Sequence, residues 1–245
     1  MADPILCKAE NGITRITLNK PESGNRISNE MGGMLAGMLG GAEKNSKLIV
    51  FAAAGKDFCL GRDAAMMAMA ASGSKATAMD IRRNNTDPAL ALYDAFRRCP
   101  LPIVGVVKGG AHGLGTALAA LCDITIAAKS ARFMMPEMKH DLPPALLMSA
   151  VIDRMPRKAI QYMVYTTEEI SAEEARAYGI LSKVAPDNEL EGEAEKLVAN
   201  LAERSAAALR AVKEYMRVAP AMEPRAASDF ASNLLSNELD RKSVV

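Results

Sequence analysis

The segment that most constrains the fold lies in mid-chain. Ile103-Val-Gly-Val-Val107 reads as a buried strand, Gly109-Gly-Ala-His-Gly-Leu-Gly115 as a glycine-dense turn, and Thr116-Ala-Leu-Ala-Ala-Leu121 as an apolar helix; Asp123-Ile-Thr-Ile-Ala127 is a further strand. Strand, tight loop, apolar helix and strand in that order bury their apolar faces together only in an α/β core. A glycine turn that opens a helix aims backbone N–H groups at whatever lies in front of it, and two ligand classes suit such donors: a phosphate and a developing oxyanion. The phosphate motifs fail here. No Lys follows Gly115, as a P-loop needs, and Leu118 stands where the third glycine of a dinucleotide loop belongs. Taken alone, the loop fits a tight crossover turn as well as an anion site.

The flanks extend the same pattern. Ile5 to Leu18 alternates enough for a hairpin about Asn11-Gly12, a strong turn dipeptide. Ser28 caps a helix running to about Glu43, and that helix carries Gly32, Gly33, Gly37, Gly40 and Gly41. An interior glycine costs about 1 kcal/mol against alanine, so this helix has to lean on tertiary packing. Leu48-Ile-Val-Phe51 is a second buried strand, leading into the loop Gly55–Asp63. A weak helix and a mobile stretch are expected over 64–85, a helix from Pro88 to about Arg98, and helices from about Pro143 onward with breaks near Pro156, Gly179, Pro186 and Pro220.

Composition narrows the function classes. Among 245 residues, 30 Lys plus Arg balance 29 Asp plus Glu, which argues against nucleic-acid binding by bulk charge. No apolar run reaches membrane-spanning length and the N-terminus lacks a secretory pattern, so a cytoplasmic protein is expected. Cys7, Cys59, Cys99 and Cys122 make no CxxC spacing and read as free buried thiols. With only two histidines, His112 and His140, no histidine-rich metal site is expected. Aromatics are scarce at 4%, so the 16 methionines help to fill the core or line a pliable pocket.

A second loop gives the first a partner. Phe58-Cys-Leu-Gly-Arg-Asp63 also follows a buried strand and also turns on a glycine. Two such loops can each lend one N–H to a single carbonyl oxygen, which is the geometry of an oxyanion hole. Several further stretches then fall into order: Leu18-Asn-Lys-Pro-Glu22 with Asn25-Arg-Ile-Ser28, Val107–Gly115 followed by Cys122-Asp123, Phe133-Met-Met-Pro-Glu137, and Glu168-Glu-Ile-Ser-Ala-Glu-Glu-Ala175 with Gly179-Ile-Leu-Ser-Lys-Val184. In this order and over nearly the whole chain, the sequence resembles the enoyl-CoA hydratase/isomerase superfamily, the crotonases.

The resemblance implies a spiral of ββα repeats over residues 1–185 and a C-terminal helical trimerisation region over 186–245, assembled as a homotrimer or a dimer of trimers. It implies an acyl-CoA substrate whose thioester enolate is held by the backbone N–H groups of Arg62 and Leu114, with Glu137 as the catalytic carboxylate. Arg26, Gly61, Asp63, Gly113 and Ala117 border the substrate in this reading. Coenzyme A enters as part of the substrate; no separate cofactor, metal, nucleic acid or membrane partner is implied.

Ala117 is the informative departure, because family hydratases commonly have a second Glu there and this chain has a methyl. A single carboxylate suffices for a 1,3-proton shift from 3-enoyl- to 2-enoyl-CoA, and some family isomerases carry this pattern. A hydratase or lyase using Glu137 alone or with His112 stands as one alternative, and an acyl-CoA binding protein without activity as another. The Arg62 side chain is expected either at a CoA phosphate or in solvent. For His112, packing behind the loop is the reading preferred over catalysis. His140 and Asp141 suit a partly exposed helix start better than a local acid–base pair. Met66, Met67, Met69 and Met79 are candidates for the core or for an acyl pocket wall, and Lys213 is expected to be solvated rather than near CoA.

Overall fold

The computed structural model describes residues 3–63 and 77–243. The chain opens with an antiparallel hairpin, β1 (Ile5–Glu10) and β2 (Ile13–Leu18). Its two-residue turn holds Asn11 at φ 51° and Gly12 at φ 74°, the left-handed pair that such turns demand. Strand β3 (Leu48–Ala53) lies parallel to β2, followed across the sheet by β4 (Ile103–Val107), β6 (Ile124–Ala128) and β9 (Lys183–Ala185), giving a six-stranded sheet in the order β1-β2-β3-β4-β6-β9. A smaller sheet joins β5 (Gly110–His112), β7 (Arg132–Met134) and β8 (Ile170–Ser171).

Both faces of the large sheet are covered, which is why β4 is buried at every residue. On one face lie α1 (Asn29–Gly41), α3 (Asp87–Arg98) and α4 (Leu114–Leu121), which share a core with Ile16, Leu18, Phe51, Phe58 and Phe96. Ser28 caps α1 through Met31 N–H at 3.2 Å, and α1 buries Met31, Gly32, Leu35 and Leu39. The packing that this glycine-rich helix requires therefore comes from its inner face. Between α1 and α3 the chain makes a short helix, α2 (Ala78–Ile81), and a π-type turn, Arg82–Thr86.

After Pro143 the chain is mainly helical: α5 (Ala145–Val151), α6 (Arg157–Thr166), α7 (Ala172–Ala177), α8 (Leu190–Ala202), α9 (Ala206–Val218) and α10 (Pro224–Ser243). Two strands interrupt this helical region, β8 and β9, and the sequence pattern does not reveal them. At two and three residues they are set by pairing with β7 and β6 rather than by any local alternation. Helix α8 belongs to the core rather than to an outer surface: Leu190, Ala194 and Val198 close the second face of the sheet against Leu48, Val50, Val104 and Ile126. Helices α9 and α10 do present apolar groups outward, with Val212, Met216, Leu235 and Leu239 each at least 58% exposed.

Lys213 departs from its expected solvation. It is buried on α9 and pairs with Asp123 at 2.5 Å, and the same Asp123 carboxylate accepts the Ile103 N–H at 2.8 Å. Of the four cysteines, Cys59, Cys99 and Cys122 are buried thiols, whereas Cys7 on the edge strand β1 is exposed. No helix among the described residues is long and apolar enough to cross a membrane.

Candidate active site

The two glycine loops are locked together by their backbones. Phe58 and Cys59 both donate N–H to Gly110 O at 3.1 Å, and His112 N–H returns to Cys59 O at 2.9 Å. Asp57 Oδ1 accepts the Gly110 N–H at 2.8 Å. Buried Asn25 ties down the start of the first loop by donating to Ala54 O and Asp57 O, and Leu60 N–H bonds Gly24 O. The second loop is held from behind: Gly113 N–H donates to Met134 O, and the Thr116 hydroxyl donates to Ala111 O or Met134 O, which lie 2.6 and 2.9 Å away.

This lock orients the two proposed donors. Ile27 straddles Arg62, donating to Gly61 O and accepting from Asp63 N–H, so the N–H of Arg62 points to the opposite side of the strand. Leu114 is the first residue of α4, where a backbone N–H has no partner inside the helix. Arg62 and Leu114 line one small cavity with Ile27, Gly32, Ala89 and Leu92; its space of about 10 Å³ is roughly that of one water.

Glu137 begins a 3-10 turn, Glu137–His140, directly after β7 and Pro136. A methyl placed on Gly113 would lie 3.1 Å from Glu137 Oε1, so the carboxylate rests against the residue that precedes Leu114. Its Oε2 atom is buried with no hydrogen-bond partner among the described residues. Desolvation by burial raises the pKa of this carboxyl above its ordinary value, with a hydrogen bond from its own backbone opposing. Ala117, one turn into α4, is wholly buried. Glu137, Gly113 and Leu114 are thus brought together, as are Gly61, Arg62 and Asp63 through their bridge to Ile27.

The other sequence candidates sort clearly. The Arg62 guanidinium is half-buried and not turned to solvent; it donates to Asn85 Oδ1 at 2.5 Å and Asn29 Oδ1 at 3.1 Å. Neither asparagine carries a motif that would have singled it out. Arg26 donates to Leu60 O at 2.6 Å and so braces the first loop. His112 Nε2 lies 3.2 Å from Glu169 Oε2. Desolvation holds this imidazole below its usual pKa, with Glu169 and Asp57 opposing, so the contact is a hydrogen bond from a neutral ring at neutral pH. His140 and Asp141 are exposed, as is Met79 at 60%. Met66, Met67 and Met69 lie outside the described residues.

Tyr93 on α3 was not marked by the sequence pattern. It is 4% exposed, and burial raises the pKa of its phenol above the ordinary value, with the Glu137 charge acting in the same direction and that of Arg62 against it. The one sequence signal for it is its place on the inner face of α3, between Ala89 and Phe96.

Comparison with known proteins gives a consistent result. A family model described as enoyl-CoA hydratase/isomerase matches residues 8–244. A probable enoyl-CoA hydratase from Rhodobacter capsulatus is 33% identical over 83% of this chain and 77% of its own length. The 1,2-epoxyphenylacetyl-CoA isomerase of Escherichia coli is 29% identical over 89% of this chain and 84% of its own. Among solved structures, an enoyl-CoA hydratase from Mycobacterium smegmatis superposes with a TM-score of 0.89 at 24% identity, covering 97% of this chain and 91% of that one, and so shares the fold. With its paired glycine loops and this match along almost its entire length, the chain belongs to the enoyl-CoA hydratase/isomerase family, the crotonases.

Proposed function

We propose that this protein shifts the double bond of an acyl-CoA, converting a 3-enoyl- to a 2-enoyl-CoA, with Glu137 as the only carboxylate base. The observation that carries the reading is the position of Glu137. Its carboxylate lies against Gly113, the residue before Leu114, with one oxygen buried and unpartnered among the described residues and with a buried methyl at Ala117 where the second carboxylate of family hydratases stands. Glu137 removes a proton from C2 and the electron pair moves into the thioester. The resulting enolate oxygen accepts hydrogen bonds from the N–H groups of Arg62 and Leu114. Glu137 then returns the proton to C4, leaving the double bond between C2 and C3. Burial raises the basicity of the carboxylate, which suits a proton shuttle near neutral pH.

Arg62 and Leu114 share the wall of one small cavity, which supports their N–H groups serving a single oxygen. Gly61, Asp63 and Arg26 hold the first loop in shape beneath it. His112 is engaged by Glu169, which favours the Glu137-only reaction over one that recruits His112. The outward apolar residues of α9 and α10 support assembly with further copies of the chain, a trimer or a pair of trimers in the cytoplasm. Incubation with 2-enoyl- and 3-enoyl-CoAs of several lengths tests the reading. Isomerisation leaves the mass unchanged and alters retention. A product heavier by one water identifies a hydratase, and binding without turnover identifies a binding protein.

A further inference from the structure

The Arg62 side chain is longer than its backbone duty requires. Any residue but proline carries an N–H, so the proposed donor itself needs only the main chain. The direction of that N–H is a separate matter. It belongs to the planar peptide group between Gly61 and Arg62, whose carbonyl accepts from the Ile27 N–H at 3.0 Å. Such a group can rock about the line through its two Cα atoms, and Gly61, at φ 109°, adds conformational freedom on one side. The anchor on the other side is the guanidinium, whose Nη1 donates to Asn85 Oδ1 at 2.5 Å and Nη2 to Asn29 Oδ1 at 3.1 Å.

The acceptors are themselves set in place. Asn29, the first residue of α1, turns its Nδ2 to Asn84 O at 2.8 Å, which leaves its Oδ1 facing Arg62. Asn84 O is open to that bond because the residue four positions on is Pro88, which has no N–H to give it. Asn84 and Asn85 lie in the π-type turn Arg82–Thr86 that leads into α3, and Pro88, Ala89 and Leu92 of α3 wall the cavity shared by Arg62 and Leu114. One guanidinium thereby joins the loop of the first donor, the start of α1 and the helix that borders the second donor.

Resting on the acyl-CoA reading above, we propose that the Arg62 side chain, held by Asn29 and Asn85, is a positioning group: it fixes the direction of the Arg62 N–H towards the thioester oxygen. Losing the clamp then weakens the hydrogen bond most where negative charge has developed, in the enolate, and leaves binding of the uncharged thioester almost intact.

The test measures kcat on the enoyl-CoA, 2- or 3-unsaturated, that the wild type turns over fastest, and Kd for the saturated acyl-CoA of the same length. Arg62→Met removes the donors, and it should lower kcat about 10–100-fold while changing Kd less than about threefold. Asn85→Ala should lower kcat about fivefold or more, and the double variant should be no slower than Arg62→Met, since both changes open one clamp. Asn85→Asp keeps an acceptor oxygen and should hold kcat within about twofold of wild type. A kcat for Arg62→Met within about threefold of wild type overturns the inference, as does a loss confined to Kd or additive losses in the double variant. If Arg62→Met does not fold, the Asn85 variants decide, and equal kcat for Asn85→Ala and Asn85→Asp overturns the inference. No turnover of any enoyl-CoA by the wild type overturns the acyl-CoA reading itself, and this inference with it; an active wild type with an equally active Arg62→Met overturns this inference alone.

Discussion

Helix α1 and the segment 109–115 are the two glycine-dense stretches of the chain, and their glycines meet opposite surroundings. A methyl added at Gly33, Gly37 or Gly40 of α1 would touch nothing within 4 Å among the described residues. A methyl added at Gly109 would come within 2.2 Å of Lys56 O, and one at Gly115 within 2.0 Å of Cys59 O. Glycine at 109 and 115 is required because the other loop lies directly against the backbone there, and that contact fixes the first loop against the second. Among the described residues nothing around the outer face of α1 calls for glycine, and the helix is held by its buried side, Met31, Gly32, Leu35 and Leu39. Glycine density in a sequence therefore does not identify a site; the backbone that presses on it does.

Three substitutions sharpen or break that comparison. Gly115→Ala has the largest expected effect, since a backbone carbonyl cannot yield as the tip of a side chain can. It should cost at least about 3 kcal/mol, read as a fall in the urea midpoint or loss of soluble protein. A midpoint near wild type would mean the loops are not locked. Glu137→Gln comes next, and it should stabilise. Burial raises the carboxyl pKa in the folded state, so the folded protein binds more protons than the unfolded chain above the ordinary Glu value, and stability falls as pH rises through the folded pKa. The thermal midpoint of Glu137→Gln should exceed that of wild type at pH 7.5, and the gap should narrow toward pH 4. An unchanged or lower midpoint at pH 7.5 would argue that the carboxylate is not buried against Gly113. Gly37→Ala is the smallest: an exposed mid-helix position with open space should gain about 0.5–1 kcal/mol with activity unchanged. Destabilisation there would show that α1 also needs its glycines.

The parts of this architecture that local chemistry dictates are legible in the sequence. The Asn11-Gly12 turn, the Ser28 cap and the helix opened by Pro88 follow from residues within a few positions of one another. What depends on distant partners is not. Strand β9 exists through its pairing with β6, and Lys213 is buried because Asp123, 90 positions earlier, receives it. In an amphipathic helix a lysine reads as solvated until its partner is known. The Arg62 side chain is similar, since Asn29 and Asn85 lie 33 and 23 positions away. The two loops are visible as glycine turns after buried strands, but Glu137 is singled out only by the family resemblance, and Tyr93 only by the fold.

The central claim is that Glu137 moves the C2 proton of an acyl-CoA whose enolate rests on the Arg62 and Leu114 N–H groups. Proton exchange at C2 in D2O, followed by mass spectrometry of a recovered acyl-CoA, tests this without assuming which reaction the enzyme completes. Wild type should incorporate deuterium at C2, and Glu137→Gln should do so about 10²–10⁴-fold more slowly while binding the same thioester with similar affinity. Equal exchange rates in the two proteins would contradict the account and transfer the base to another group.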